Sequence, residues 1–191
     1  RDRHEVRTRV REQRHGLHEG RLGGGGARRE QLVRQRGPTR GEEVTASSLI
    51  KVNFDGEQLT KNTEYSVIPA GFTIHSAVLE ARKDVFCALH THTRAGMGVS
   101  TMECGLLPLT QHSMRFHERI SYHDYEGVAT NLDERERLQR DLGENDAMIL
   151  RNHGLLTVGR TAGETFMWMY RAERACYMQL SVQQSGAELS P

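Results

Sequence analysis

The run Val85-Phe86-Cys87-Ala88-Leu89 ends in His90-Thr91-His92-Thr93, and this stretch constrains the chain more than any other. Its apolar residues suit a buried strand. In an extended strand residues i and i+2 share one face, so His90 and His92 stand side by side at the strand's end. Further along, a second apolar run, Ala147-Met148-Ile149-Leu150, passes directly into Arg151-Asn152-His153-Gly154. Gly154 lets the chain turn sharply at no steric cost, so His153 can face back across a sheet toward the pair. Three neutral imidazoles with a fourth position open form the donor set of a catalytic, not a structural, divalent-ion site. Ordinary sheet and loop histidines share the His-x-His spacing, so at this point both readings stand.

The length of 191 residues fits one domain with a sizeable core. Of these residues 36% are hydrophobic and 27% charged, and the polarity is concentrated at the N-terminus. Residues 1–42 are dominated by Arg, Gly, Gln and Glu, with Gly23 to Gly26 consecutive. Apolar residues are too sparse there to offset the entropy of ordering. This predicts an atypical Arg/Gly-rich segment over 1–42, degenerate or disordered, with at most a marginal helix over Val6 to Leu17; the folded domain is expected over 43–191. A formal net charge of +1 gives the whole chain no pull on a nucleic acid. Three cysteines, Cys87, Cys104 and Cys176, odd in number and without C-x-x-C spacing, point to a reduced, cytoplasmic setting. No apolar run approaches the roughly 20 residues that span a bilayer, which predicts a soluble protein without a membrane partner.

Past residue 43, Leu49 to Phe54 alternates apolar and polar as a half-buried strand does, and Asp55-Gly56 is a hairpin signal. Ile74, Ala77, Val78 and Ala81 fall at i, i+3, i+4, i+7 and predict an amphipathic helix over Thr73 to Arg82. A helix is expected within Thr93 to Met102. Leu106 to Leu109 reads as a short strand, and Ile120 to Tyr125 as a strand or a loop. Asp133-Glu134-Arg135-Glu136 and Thr161-Ala162-Gly163-Glu164 are capping-box patterns. The first opens a short helix that Gly143 stops; the second opens a long one with Met169, Ala172, Cys176 and Leu180 at helical spacing. Helices and strands thus alternate with short connections, the pattern of a layered α/β domain.

Taken together, Pro69-Ala70-Gly71-Phe72-Thr73-Ile74-His75-Ser76-Ala77, Leu89-His90-Thr91-His92-Thr93, Cys104-Gly105-Leu106-Leu107-Pro108, Tyr122-His123-Asp124-Tyr125 and Leu150-Arg151-Asn152-His153-Gly154-Leu155 resemble the class II aldolase/adducin family. The resemblance runs from about residue 43 to about residue 189. It implies a three-layer α/β/α sandwich around a central mixed, largely antiparallel sheet, often assembled as a homotetramer. Catalytic members bind zinc or another divalent ion through three histidines, which fall here on His90, His92 and His153. The implied chemistry is polarisation of a carbonyl or hydroxy-keto small molecule for C–C cleavage or related enediolate reactions.

Two departures bear on activity. Sugar-phosphate aldolases of the family carry Ser-Ser-Glu where this chain has Pro69-Ala70-Gly71, and Gly71 has no side chain with which to move a proton. The Pro-Ala-Gly version resembles the adducin-like branch, for which the alternative role is oligomerisation or protein binding. The family's Asn-His-x-Ser loop is replaced by Arg21-Leu22-Gly23-Gly24. Tyr122 and His123, with Asp124 and Tyr125 beside them, are the candidates for proton transfer. His75 is a candidate for orienting a metal ligand, Arg115 between His112 and His117 for meeting an anion, and Glu103 or Glu118 for replacing the missing Glu.

Overall fold

The computed structural model describes residues 6–10, 30–34, 49–61, 66–67, 69–128 and 133–188. Among them, seven strands form one sheet: β1 (Val6–Val10), β2 (Glu30–Arg34), β3 (Leu49–Asn53), β4 (Cys87–Thr91), β5 (Ile120–His123), β6 (Ala147–Leu150) and β7 (Gly154–Gly159). Their spatial order is β3-β2-β1-β4-β7-β6-β5. All pairings are antiparallel except β5 with β6, so the sheet is mixed and largely antiparallel, as the family resemblance implies.

Among the described residues five helices cover it: α1 (Pro69–Ala81), α2 (Arg94–Ser100), α3 (Gln111–Met114), α4 (Glu134–Leu142) and α5 (Ala162–Ser185). On one face Ile74, Ala77, Val78 and Leu79 of α1 and Leu138 and Leu142 of α4 pack against Ala88, Met148, Leu150, Leu156 and Val158. On the other, Ala95 and Val99 of α2, Phe116 after α3, and Met169, Ala172 and Cys176 of α5 pack against Leu89, Ala147, Ile149 and Leu155. Successive residues of β4, β6 and β7 therefore serve opposite layers, which is why these strands read as continuous apolar runs. The result is a helix-sheet-helix sandwich with β4 and β7 near its centre.

Where composition predicts disorder or at most a marginal helix over Val6 to Leu17, Val6–Val10 is a strand. In Val-Arg-Thr-Arg-Val the β-branched residues recur with period two, the strand period, and β1 pairs along all of β4 with Arg7 opposite His90. The rest of that stretch lies outside the described residues. Within 1–42, described as degenerate or disordered by composition alone, β2 also joins the sheet, linking β1 to β3.

Other departures are local. The predicted helix from Thr73 starts at Pro69, where a missing N–H costs nothing at the first helical position. Leu106 to Leu109 forms no strand: Pro108 has no N–H to donate, and Leu107 N–H bonds the Gln179 side chain at 2.7 Å instead. The capping box expected at Asp133 is absent, because Asp133 itself has helical torsions (φ −65, ψ −23) and makes no side-chain cap bond; a capping side chain needs an extended backbone to fold back on the first turn. Thr161 does cap α5, accepting from Glu164 N–H at 3.1 Å, while the Glu164 carboxylate reaches past it to Arg160 N–H at 2.8 Å.

Candidate metal centre

Strand parity places His90 and His92 on one side of the end of β4, and the antiparallel pairing of β4 with β7 sets Leu155 opposite Thr91 between them. The chain enters β7 from the Arg151-Asn152-His153 turn. Asn152 sits at φ 55, a left-handed conformation that asparagine tolerates better than most residues. Its N–H donates to Ser100 O at 3.0 Å, and His153 N–H donates to Leu150 O at 3.1 Å. His153 is thereby turned back toward the β4 histidines.

The three rings meet with centroids 4.6 to 4.7 Å apart. One ligand-type nitrogen from each lies within 4.8 Å of the others, and among the described residues this is the one group of three or more His, Cys, Asp or Glu side chains able to hold a metal ion. His90 is buried; His92 and His153 are half-buried.

The chemistry of the donors fits an ion. His90 Nδ1 lies 2.8 Å from the Leu155 carbonyl oxygen. A carbonyl can only accept, so Nδ1 carries the proton and Nε2 is left bare. That bare nitrogen points at His92 Nε2, 2.7 Å away. Burial pushes the His90 imidazole well below its ordinary pKa, helped by the fields of His153, His92 and His75. A neutral ring with its lone pair turned inward is what a divalent ion requires, and the Leu155 carbonyl supplies the bond that orients a ligating histidine.

The other residues singled out by sequence are placed as follows. His75 is buried on α1, its charge acting on His90. Gly71 is buried one helical turn earlier on α1. The Tyr122 hydroxyl accepts from Leu106 N–H at 3.0 Å. His123 Nδ1 bonds the Asp141 carboxylate at 2.7 Å, and its Nε2 faces Glu134 at 3.5 Å. Burial pushes the Asp141 carboxyl up, but bonds from His123 and Arg140 outweigh it and hold the group below its ordinary pKa. Asp124, Tyr125, Glu103, Arg115, His117 and Glu118 are exposed, and His112 is half-buried. None of these joins the His90, His92, His153 group. Sequence reasoning did not anticipate the Leu155 carbonyl, for which the antiparallel return after Gly154 is the signal.

A family model described as Class II Aldolase and Adducin N-terminal domain matches residues 10–180. A Pseudomonas aeruginosa protein whose name assigns it provisionally to the class 2 aldolases is 53% identical over 147 residues, 77% of this chain and 56% of its own. Rat alpha-adducin is 44% identical over 140 residues, 72% of this chain and 19% of its own. The crystal structure of an aldolase II superfamily protein from Pseudomonas syringae superposes with a TM-score of 0.84 at 39% identity, covering 98% of this chain and 71% of that one. The chain thus spans little more than half of the bacterial relative and a fifth of the adducin.

Proposed function

The chain belongs to the class II aldolase and adducin family, and on that premise we propose that it is a metal-dependent, lyase-like protein acting on a small-molecule carbonyl or hydroxy-keto compound. The observation that carries this reading is the convergence of His90, His92 and His153, with the His90 tautomer set by Leu155. A divalent ion there, zinc for an all-imidazole donor set, would supply Lewis-acid polarisation of the substrate carbonyl for C–C cleavage or a related proton loss.

The chain's own residues do the rest. His90 holds its lone pair inward because its other nitrogen is committed to a carbonyl. His92 and His153 are half-buried, so both rings keep some exposure at the group. Tyr122 and His123 are only candidates for proton transfer, Tyr122 being engaged by Leu106 N–H and His123 by Asp141. We propose further that the protein is cytoplasmic and works as a homotetramer, with neither nucleic acid nor membrane as partner; among the described residues no helix is long and apolar enough to cross a membrane.

One observation favours a second reading, a catalytically impaired oligomerisation or protein-binding domain like that of the adducins. Gly71 stands where the family's sugar-phosphate aldolases place their acid/base Glu, and among the described residues no carboxylate joins the histidine group. Elemental analysis after dialysis separates the two. The first reading expects about one divalent ion per chain, lost in His92→Ala. Less than a tenth of an equivalent in the parent protein would remove the metal-dependent reading and leave the second.

A further inference from the structure

Arg151 lies two residues before His153, and its side chain closes onto a different part of the fold. Nη1 donates to Met102 O at 2.6 Å and Glu103 O at 3.4 Å. The guanidinium carbon stands 4.4 Å from the centroid of the Tyr122 ring, within cation-π range. That ring is itself immobilised. Its hydroxyl takes the Leu106 N–H, and Gly105 approaches so closely that a β-carbon there would stand 2.4 Å from the hydroxyl oxygen. Among the described residues no carboxylate pairs with Arg151. Its charge is spent on carbonyls and a ring, both fixed parts of the scaffold.

The position of these carbonyls matters. Helix α2 is capped by Thr93, the peptide neighbour of His92; the Thr93 hydroxyl accepts from Gly96 N–H at 3.3 Å and donates to Glu173. The helix ends at Ser100, whose carbonyl takes the Asn152 N–H, and Met102 and Glu103 follow it. One end of α2 is therefore tied to His92 and the other to the turn that carries His153. The path from His92 through α2 and Met102 to Arg151 and His153 therefore consists of covalent and hydrogen bonds, a second connection between the histidines beside the β4–β7 pairing.

We propose that Arg151 is a positioning residue for the histidine centre: by fastening the Arg-Asn-His-Gly turn to the loop after α2 and to the Tyr122 ring, it fixes His153 relative to the His90 and His92 pair. This rests on the reading of the three histidines as a metal centre. The Asn152 to Ser100 bond survives loss of the side chain, so the turn should loosen without unfolding.

The test uses Co2+ alone, titrated into the metal-stripped full chain and followed by its visible absorption, whose intensity and position report coordination geometry. The parent should bind near one equivalent. Arg151→Ala should bind on the order of 10 to 100-fold more weakly, as outer partners of metal ligands do, with a changed spectrum and an unfolding temperature close to the parent's. Arg151→Lys keeps a cation with three donors for the carbonyls but has no plane to stack on the Tyr122 ring, and should recover part of the affinity; Tyr122→Leu should shift the spectrum in the direction Arg151→Ala does. Parent-like affinity and spectrum in Arg151→Ala overturn the proposal. If that variant does not fold, a parent-like spectrum in both Arg151→Lys and Tyr122→Leu overturns it equally. A parent that takes up no Co2+ removes the metal reading and the positioning role with it, whereas a parent that binds beside unaltered variants removes the positioning role alone.

Discussion

A β-carbon on Gly154 would stand 2.2 Å from the carbonyl oxygen of Thr91, the residue between His90 and His92. The obstacle is backbone, which cannot swing aside as a side chain can. Gly154→Ala must therefore push β7 away from β4 where the three histidines meet. The expected result is a loss of about 1 to 3 kcal/mol of stability, read by chemical denaturation, together with loss of bound metal by elemental analysis.

The metal-free protein should lose stability as the pH falls. His90 is held well below its ordinary pKa, first by burial and then by His153, His92 and His75. Below about pH 6.5 the unfolded chain takes up a proton at this position while the folded chain does not. The contribution is thus complete above pH 6.5 and declines below it. Thermal unfolding in a chelator across pH 5 to 8 checks this, and His90→Leu should flatten the slope.

Thiol labelling should discriminate among the cysteines. Cys104 is exposed, and Cys87 and Cys176 are buried. Burial, with the nearby Glu173 charge, pushes the Cys176 thiol up to about 12, so almost no thiolate is available near neutrality. Mass spectrometry after brief maleimide treatment should find one label on the native protein, at Cys104, and three after denaturation.

Sugar-phosphate cleavage should be slow even in the metal-loaded protein. With Gly71 in place of a carboxylate side chain, a factor of roughly 10² to 10⁴ is lost with a positioned acid/base. A coupled assay on fuculose 1-phosphate measures it, and turnover at an ordinary aldolase rate would mean that another residue fills the role.

Truncation tests the boundary at residue 42. Deleting residues 1–40 removes β1 and β2, takes away the ladder along the outer side of β4, and leaves β3 without its sheet partner. Cooperative unfolding followed by circular dichroism should then be lost. A shift of only a few degrees would instead support 1–42 as a segment outside the domain.

Much of the centre was legible because it depends on local rules. The two-residue period of a strand puts His90 beside His92, and a glycine after His153 allows the return. The central strands and long helices followed from apolar runs and i, i+3, i+4 stripes, down to the Thr161 cap. Legibility failed where a residue's role is set by chain distant in sequence. Asp133 matches a capping pattern, yet its backbone is already helical. Val6 to Val10 carries strand periodicity, but its arginine-rich composition outweighed it until β4 was there to pair with.

By itself, then, the sequence determined which histidines could share a site and which face of its own element each occupies, because these follow from backbone periodicity and residue type. Only the tertiary structure decided that β1 lies beside β4, that the Leu155 carbonyl selects the tautomer of His90, and that Arg151 reaches Met102 across two intervening helices and two strands. Each is a contact between groups dozens of residues apart, and such contacts exist only once the layers have packed and brought them within hydrogen-bond reach.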